Sequence, residues 1–350
     1  MGNPTLHDVA RAAGVSYSTA DRVVNHRGGV AEKSVLRVRK AIEDLCYQRD
    51  IHAANLSRRR SYAFRFYLPR GDHGFFSVLR EAVEAQARQR LAERIRISIH
   101  DVPPLDAAAL ASELSGLRKG DCDCVAIIGS DAAALCAEVA RLEALGIAVV
   151  TLVSDAASDA RSVYVGIDNV AAGCTAGRLL RLAHGRGPGL VLPILGSLAS
   201  RDHRERLIGA RDVLAEPGRE IGLLAPLEVL DRPETMQEKL AAALSAGQTI
   251  SGIYSIGAGN RALIALLRQM PGPRPFVILH ELTPHSRAAL EADLVDAVID
   301  QKPQEEVALA LQAMRSIADH LPVAATEVSP SIFVKDNLPA SATNPSLDTE

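Results

Sequence analysis

The sequence predicts a small all-α head followed by a two-lobed α/β body, in which parallel sheets are flanked by helices. Three observations support this fold class. Residues 1–60 contain short amphipathic helical patterns and a glycine-containing turn. From residue 62 onwards, short β-branched segments alternate with helical segments, as in parallel sheets covered on both faces. About ten such strands exceed what one sheet holds comfortably, which favours two lobes.

The charge of the chain is unevenly distributed. The first 60 of the 350 residues hold 11 Lys/Arg and 6 Asp/Glu, a net charge of +5, whereas the whole chain carries −3 and the remainder therefore −8. A basic head on an acidic body suggests an anionic partner for the head. A basic surface without any partner explains the charge equally well.

The head begins with two short helices whose ends are marked in the sequence. Thr5 with Asp8 three residues later matches a capping box, and Gly14 suits the position that ends a helix. Ser16 is a good N-cap for a second helix over residues 17 to about 25. Two short helices joined by such a turn are typical of a helix-turn-helix, whose second helix enters the major groove of DNA.

The second helix has an apolar face and a polar face. Ala20, Val23 and Val24 share the side that packs on the first helix, and a third helix is predicted from about 32 to 45. Groove recognition needs short polar groups near the helix start and an Arg or Asn that bonds a base edge, and Arg22 is the leading candidate for a guanine contact. The predicted DNA-contacting residues of the head are Thr5, Ser16, Tyr17, Ser18, Thr19, Asp21, Arg22, Asn25 and His26.

The stretch TLHDVARAAGVSYSTADRVVN resembles the head of the LacI/GalR family of bacterial transcription regulators, and the similarity continues through AIEDLCYQRDIHAANLSRRRS at 41–61. The resemblance implies a hinge that becomes helical when two subunits meet on operator DNA. Ala53 lies in the matching pattern and Leu56 is the implied wedge in the minor groove. An ordinary linker role for Leu56, and a solvated linker instead of phosphate contact at 58–60, are the alternatives. Asp21 stands where the family often has Ser, which leaves the operator sequence open.

The body alternates strands and helices along its length. Strands are predicted at 62–68, 95–100, 124–129, 147–153, 163–167, 189–195, 222–229, 253–256 and 276–280. Helices are predicted at 75–90, 107–117 and 132–145, and others beginning near 169, 202, 233, 259 and 284. Ligands in such sheets bind beyond the carboxyl ends of the strands.

The segments that follow these strands combine aromatic and polar side chains, which suits a sugar-like ligand. Over about residues 62–335 the body resembles the ribose-binding branch of the periplasmic sugar-binding proteins. The stretches that carry the resemblance are HGFFSVLREA, VYVGIDNVAAG, RERLIGARDVL and HELTPHSRAALEADLVDAVIDQKP. The effector-binding residues that it implies are His73, Phe75, Phe76, Asp131, Arg204, Asn260, His280, Glu281 and Gln301.

Several of these positions differ from the family pattern or have a structural alternative. His73 replaces a frequent Asn and His280 a frequent aromatic residue, and 258–259 is Ala-Gly where the family often has Asn-Asp. These differences leave the sugar open. A core role for the two phenylalanines is one alternative, and helix capping or pairing with Glu205 is another for Arg204.

The predicted domains are a helix-turn-helix head at 1–48, a hinge at 49–61, an effector-binding and dimerisation body at 62–335, and a polar tail at 336–350. Lobe 1 is expected at about 62–163 and 294–322, and lobe 2 at about 164–293 and 323–335. The tail has no leucine heptad, so a tetramerising coiled coil is not expected.

The resemblance implies a repressor of carbohydrate-utilisation genes that acts as a homodimer on palindromic double-stranded operator DNA and is released by a sugar-like effector. A co-repressor of opposite sign, and a sugar sensor without DNA binding, are the alternatives. No nucleophile elbow or dinucleotide fingerprint favours an enzyme. The five scattered cysteines favour a reducing, cytoplasmic setting over a metal site. The sequence predicts no cofactor, no metal, no signal peptide and no membrane span.

Overall fold

The structure is a computed structural model that describes residues 4–24, 28–45, 47, 60–71, 74–185, 187–218, 220–270 and 272–340. The chain forms two compact units, Met1–Arg60 and Ser61–Glu350. The boundary falls close to the end of the predicted hinge. Most of that hinge lies outside the described residues, as do 341–350 of the tail.

The head contains the three predicted helices, with their predicted starts. The amide of Asp8 donates to Thr5 Oγ1 (3.3 Å) and the amide of Thr5 donates to Asp8 Oδ2 (2.9 Å), which confirms the capping box. Gly14 ends the first helix in the left-handed conformation (φ 60°), which glycine adopts without steric cost. The helices are α1 (Leu6–Ala13), α2 (Tyr17–Val24) and α3 (Glu32–Asp44).

The three helices share one small core. Val9 and Ala13 of α1 are buried against Val38 and Ala41 of α3. Ala20 of α2 is fully buried, and the other two predicted apolar residues of that helix pack against the same core. This packing fixes α2 by its apolar face and turns its opposite face outwards.

Lobe 1 is built on a parallel five-stranded sheet with the order β2-β1-β3-β4-β5. Its strands are β1 (Tyr62–Pro69), β2 (Ile95–Val102), β3 (Cys124–Ile127), β4 (Ala148–Leu152) and β5 (Val163–Val165). The intervening helices are α4 (Gly74–Arg90), α5 (Ala107–Ser115) and α6 (Ala133–Ala144). Side chains alternate along β1, so that Phe64 and Phe66 enter one core and Tyr67 enters the core on the opposite face.

Lobe 2 is built on a seven-stranded sheet with the order β12-β11-β10-β9-β6-β7, and β8 also pairs with β6. All pairs are parallel except β11 with β12. The strands are β6 (Gly189–Leu195), β7 (Ile221–Leu223), β8 (Leu227–Glu228), β9 (Gly252–Ser255), β10 (Phe276–His280), β11 (Ala297–Asp300) and β12 (Ser331–Phe333). The helices are α7 (Asn169–Ala183), α8 (Arg201–Leu214), α9 (Pro233–Ser245), α10 (Asn260–Leu267) and α11 (Pro284–Glu291).

The structure corrects three expectations for the body. The strand predicted at 222–229 is divided into β7 and β8. Strands β11 and β12 and the long helix α12 (Pro303–Ala318) were not predicted. The segment 294–322 was expected in lobe 1, but β11 pairs with β10 in the sheet of lobe 2. The chain therefore returns to lobe 1 after β11, later than expected. Val307, Leu311 and Met314 of α12 then enter the core of lobe 1.

Candidate functional site

The candidate DNA-reading surface is the outer face of α2. Ser16, Tyr17, Ser18 and Arg22 are exposed, and Asp21 is partly exposed. The ring of Tyr17 also lies 4.4 Å from that of His7 in α1, which holds it at the start of the helix. The structure thus presents these predicted residues on one accessible helix face.

The first turn of α2 is organised by hydroxyl groups. Ser16 Oγ accepts from the amide of Thr19 at 3.2 Å, as expected of an N-cap. The same oxygen lies 3.0 Å from Ser18 Oγ and 2.8 Å from Thr19 Oγ1. Thr5 is also exposed, but its hydroxyl is used in the capping box of α1. Four residues predicted for DNA contact lie outside the described residues: Asn25, His26, Ala53 and Leu56.

A cleft of about 640 Å³ lies between the carboxyl ends of the two sheets of the body. Seven of the nine residues predicted to bind an effector line it: Phe75, Phe76, Asp131, Arg204, Asn260, Glu281 and Gln301. His73 lies outside the described residues. The predicted segments therefore converge on one site, since the ends of parallel strands meet at the same edge of a sheet.

His280 is the predicted residue that the structure does not bring to the cleft. Its side chain is fully buried, and Nε2 shares a 2.8 Å hydrogen bond with the hydroxyl of Tyr254 on the neighbouring strand β9. Burial lowers the pKa of His280 well below its usual value, with the positive charge of Arg206 adding to the effect. His280 is the last residue of β10, and its side chain points into the core of lobe 2. Because its pKa is lowered, the buried imidazole is neutral.

The floor of the cleft is a buried network centred on Arg206. Arg206 donates from Nε to Asn169 Oδ1 at 2.8 Å and from Nη1 to the carbonyl of Ile256 at 2.9 Å. Its other contacts are to Glu281 Oε1 at 3.5 Å and Gln301 Oε1 at 3.4 Å. Gln301 Nε2 in turn donates to Glu281 Oε1 at 2.7 Å, so the floor is held in one arrangement.

Arg206, rather than the predicted Arg204, occupies the centre of the site. Its signal in the sequence is helical periodicity, since Asp202, His203, Arg206, Gly209 and Ala210 recur with the period of the buried face of α8. Charged residues are usually exposed, so a hydrophobic pattern by itself does not predict that Arg206 is buried.

Glu281 has a strained backbone and a strongly raised pKa. Its backbone lies in the left-handed region (φ 76°), which is costly for a side chain other than glycine and is concentrated at functional sites. Burial raises the pKa of Glu281 to about 8, against the opposing effect of the Arg206 charge. Its Oε2 is buried and makes no hydrogen bond among the described residues, and Glu281 lines the cleft. A ligand donor placed there would satisfy it.

Two further carboxyl groups surround the floor. Glu306, in the first turn of α12, is completely buried, and burial together with the negative charge of Glu281 raises its pKa well above the usual value. Asp202 behaves oppositely. Burial opposes its ionisation, but the charges of His203 and Arg206 and a hydrogen bond from Ser200 lower its pKa overall. The permanently charged Arg206 therefore lies near carboxyl groups whose pKa values are shifted in opposite directions: those of Glu281 and Glu306 are raised, and that of Asp202 is lowered.

Arg204 and Asp131 lie on opposite sides of the cleft and bind each other. Arg204 Nη2 donates to Asp131 Oδ2, and Arg201 Nη1 lies 3.4 Å from Asp131 Oδ1. Arg204 also donates to the carbonyls of Leu198 and Ala199. It is Arg201, not Arg204, that pairs with Glu205. The Asp131–Arg204 pair therefore joins the segment that follows β3 in lobe 1 to α8 in lobe 2.

Asn260 lines the cleft, but its amide is bonded within the protein. Oδ1 accepts from Ser255 Oγ at 2.6 Å, and Nδ2 donates to the carbonyl of His280 at 2.8 Å. The structural role suggested by these bonds is to fix the start of α10 beside the end of β10.

Among the described residues there is no cluster of three or more His, Cys, Asp or Glu side chains arranged to hold a metal ion. Within the same part of the chain, every helix is too short or too polar to cross a membrane.

Comparison with known proteins agrees with both parts of the chain. Residues 5–50 match the model of the lacI family of bacterial regulatory proteins, and residues 64–321 match the periplasmic binding protein domain. The regulator DegA of Bacillus subtilis (strain 168) is 27% identical over 216 residues, which cover 61% of this chain and 61% of DegA. The sucrose operon repressor of Streptococcus mutans is 35% identical over 81 residues, or 23% of this chain and 25% of the repressor. The chain thus spans less than two thirds of the length of these relatives.

A solved structure shows the fold of the body. The solute binding protein of an ABC transporter from Burkholderia graminis C4D1M, in complex with D-arabinose, has a TM-score of 0.72 at 21% identity and covers 79% of this chain and 96% of its own. The curated relatives are transcription regulators and not enzymes. With its helical head and periplasmic-binding-protein body, the chain belongs to the LacI/GalR family of bacterial transcription regulators.

Proposed function

We propose that the protein is a DNA-binding transcriptional repressor whose affinity for DNA is controlled by a sugar-like effector that binds in the cleft. The observation that carries this proposal is the exposed polar face of α2, fixed by its apolar face on a head with a net charge of +5. Groove recognition requires such a helix, and phosphate binding requires such a charge. A DNA partner places the protein in the cytoplasm.

The cleft supports the second half of the proposal. Arg206, Glu281 and Gln301 offer charged and amide groups in fixed positions, and Phe75 and Phe76 offer an apolar surface. Such sites orient a small ligand by a few polar groups on a largely apolar lining. The D-arabinose bound by the Burkholderia protein of similar fold is consistent with a sugar-like ligand.

The connection between β11 and α12 offers a route for coupling. Gln301 bonds the floor of the cleft in lobe 2, and α12 begins two residues later and packs in the core of lobe 1. We expect effector binding to shift lobe 1 relative to lobe 2 and to change the dimer that holds the hinge on DNA. Coupling of this kind is reciprocal and is typically worth about 1–3 kcal/mol.

A salt titration tests DNA binding. Sequences selected from a random duplex pool by the full-length protein are measured by fluorescence anisotropy at increasing salt. We expect affinity to fall steeply, because phosphate contacts release counterions. Arg22→Ala should weaken binding to the selected sequence, whereas Arg118→Ala, on the exposed surface of lobe 1, should not. Binding that is absent, or indifferent to salt and to Arg22→Ala, would leave a sugar sensor without DNA binding.

The same assay tests the dimer and the sign of the effector. A homodimer should select a palindrome and lose most of its affinity for a half-site, since two heads then no longer bind one duplex. An inducer should lower operator affinity, and a co-repressor should raise it.

A further inference from the structure

The polar groups of the cleft are unequally divided between the two lobes. Arg206, Glu281 and Gln301 supply the floor from lobe 2 and the adjoining crossover. The lining contributed by lobe 1 is mostly apolar. We call six of its apolar residues the apolar wall: Phe75, Phe76, Pro103, Pro104, Leu105 and Leu110.

The polar side chains among the described lobe 1 residues of the lining already have protein partners. Asp106 Oδ1 accepts from the amide of Ala109 at 2.9 Å, and Ser130 Oγ accepts from the amide of Ala132 at 3.3 Å. The third, Asp131, is paired across the cleft. The six side chains of the apolar wall carry no polar atom, so a ligand hydroxyl pressed against them would lose water without gaining a side-chain partner, which is unfavourable. The occupant of this side of the cleft should be apolar.

The conformation and exposure of Leu105 also indicate an apolar occupant. Its backbone is left-handed (φ 54°), a conformation that is strained for leucine, and its side chain is 49% exposed within the lining of the cleft. Strained residues are concentrated at ligand-binding sites. An apolar ligand group would cover this exposed side chain.

The volume of the cleft exceeds what one sugar ring fills. The value of about 640 Å³ lies within the range of drug-sized ligand sites, roughly 300–1,000 Å³. This volume does not arise from an open arrangement of the lobes, because Asp131 of lobe 1 already contacts Arg204 of lobe 2 across the cleft. The lobes also meet where a Cβ on Gly74 would lie 3.2 Å from Thr283 Cγ2.

We infer that the effector is a glycoside with an apolar aglycone of at least the size of a phenyl ring. Its sugar hydroxyls bond Arg206, Glu281 and Gln301, and its aglycone packs on the apolar wall. This inference rests on the proposed function, since it specifies the ligand of the same cleft.

The test compares matched pairs of methyl and phenyl glycosides of common hexoses and pentoses by titration calorimetry with the full-length protein. At least one phenyl glycoside should bind at least tenfold more tightly than its methyl partner. Leu105→Asn should remove most of this preference, because asparagine tolerates the left-handed backbone but offers no apolar surface. Leu230→Asn is the matched control: Leu230 also has a positive φ (50°) and is 44% exposed, but does not line the cleft.

The outcomes separate this inference from the proposed function. Equal binding of methyl and phenyl partners in every pair overturns the inference and leaves a sugar-responsive repressor. A phenyl preference that survives Leu105→Asn, or that Leu230→Asn removes equally, overturns the assignment of the wall. If no glycoside binds, the inference fails, while the salt titration still decides DNA binding.

Discussion

Arg206 and Glu281 form a buried pair at the floor of the cleft. Arg206 Nη1 lies 3.5 Å from Glu281 Oε1, and the two side chains are 1% and 5% exposed. The pair is supported on both sides, by Asn169 on the arginine and by Gln301 on the carboxyl group. The floor is therefore preorganised before any ligand arrives, and its components have separable roles that mutation can test.

Arg206→Met should destabilise the body and abolish effector binding. Removing one member of a buried ion pair typically costs about 3–5 kcal/mol. The lower end is expected here, because the raised pKa of Glu281 lets it remain neutral. Urea unfolding and calorimetry measure the two effects. Arg204→Met is the control and should change the free energy of unfolding by less than about 1 kcal/mol. Equal effects of the two substitutions would contradict the central position of Arg206.

Glu281 should make stability depend on pH. Its folded pKa of about 8 lies above the ordinary 4.5, so the folded state binds more protons than the unfolded state between these values. The stabilising contribution is fully present below 4.5 and is lost as the pH rises through about 8. Chemical unfolding at several pH values should show that Glu281→Gln flattens this decline.

The flattening is expected to be partial. Glu306 also has a raised pKa and remains in the variant, close to Arg206, Asp202 and Asp300. Glu291→Gln is the control, because Glu291 is exposed on α11. Parallel pH profiles of the wild type and Glu281→Gln would show that Glu281 does not titrate in this range.

Asp131→Asn should loosen the contact between the lobes with little effect on stability. Exposed ion pairs contribute about 0–1 kcal/mol, and Arg204 is partly exposed. The apparent affinity for an effector should fall a few-fold if closure accompanies binding, and its dependence on salt should diminish. Titration calorimetry at low and high salt checks this expectation. Asp159→Asn, on the exposed surface of lobe 1, should behave as the wild type does at both salt concentrations.

Gly173→Ala should disturb the site from outside the cleft. A Cβ at Gly173 would lie 2.0 Å from the backbone oxygen of Arg206, because α7 and α8 pack closely there. Overpacking typically costs about 1–3 kcal/mol. Displacement of the Arg206 backbone should also weaken effector binding.

Gly187→Ala provides the comparison for this substitution. Its Cβ would meet only the carbonyl of His184 at 3.6 Å, an ordinary contact. Thermal unfolding and calorimetry of both variants test the prediction. A Gly173→Ala protein with wild-type stability would mean that the two helices separate without cost.

Some parts of the fold were predictable because their signals are local. The capping box of Thr5 and Asp8 and the terminal Gly14 are encoded within single helical turns. The longer strands, such as β6, are runs of apolar residues that need no partner to be recognised. By contrast, β12 has three residues and becomes a strand only through pairing with β11. No local pattern specifies such pairing.

The candidate cleft shows the same division. The residues that follow the strands were predicted to meet, because parallel strands end at a common edge. The detailed choice was not predictable: Arg206 enters the floor, Arg204 reaches Asp131, and His280 turns into the core toward Tyr254. These differences depend on distances between side chains from different elements.

The sequence by itself determined the family, the three-helix head, the alternation that builds the body and seven of the residues that line the cleft, because periodicity, caps and motifs are properties of neighbouring residues. The tertiary structure alone decided which arginine is buried, which carboxyl group keeps its proton and which wall of the cleft is apolar. Burial, dielectric environment and partner distance arise only when segments far apart in the chain are packed together.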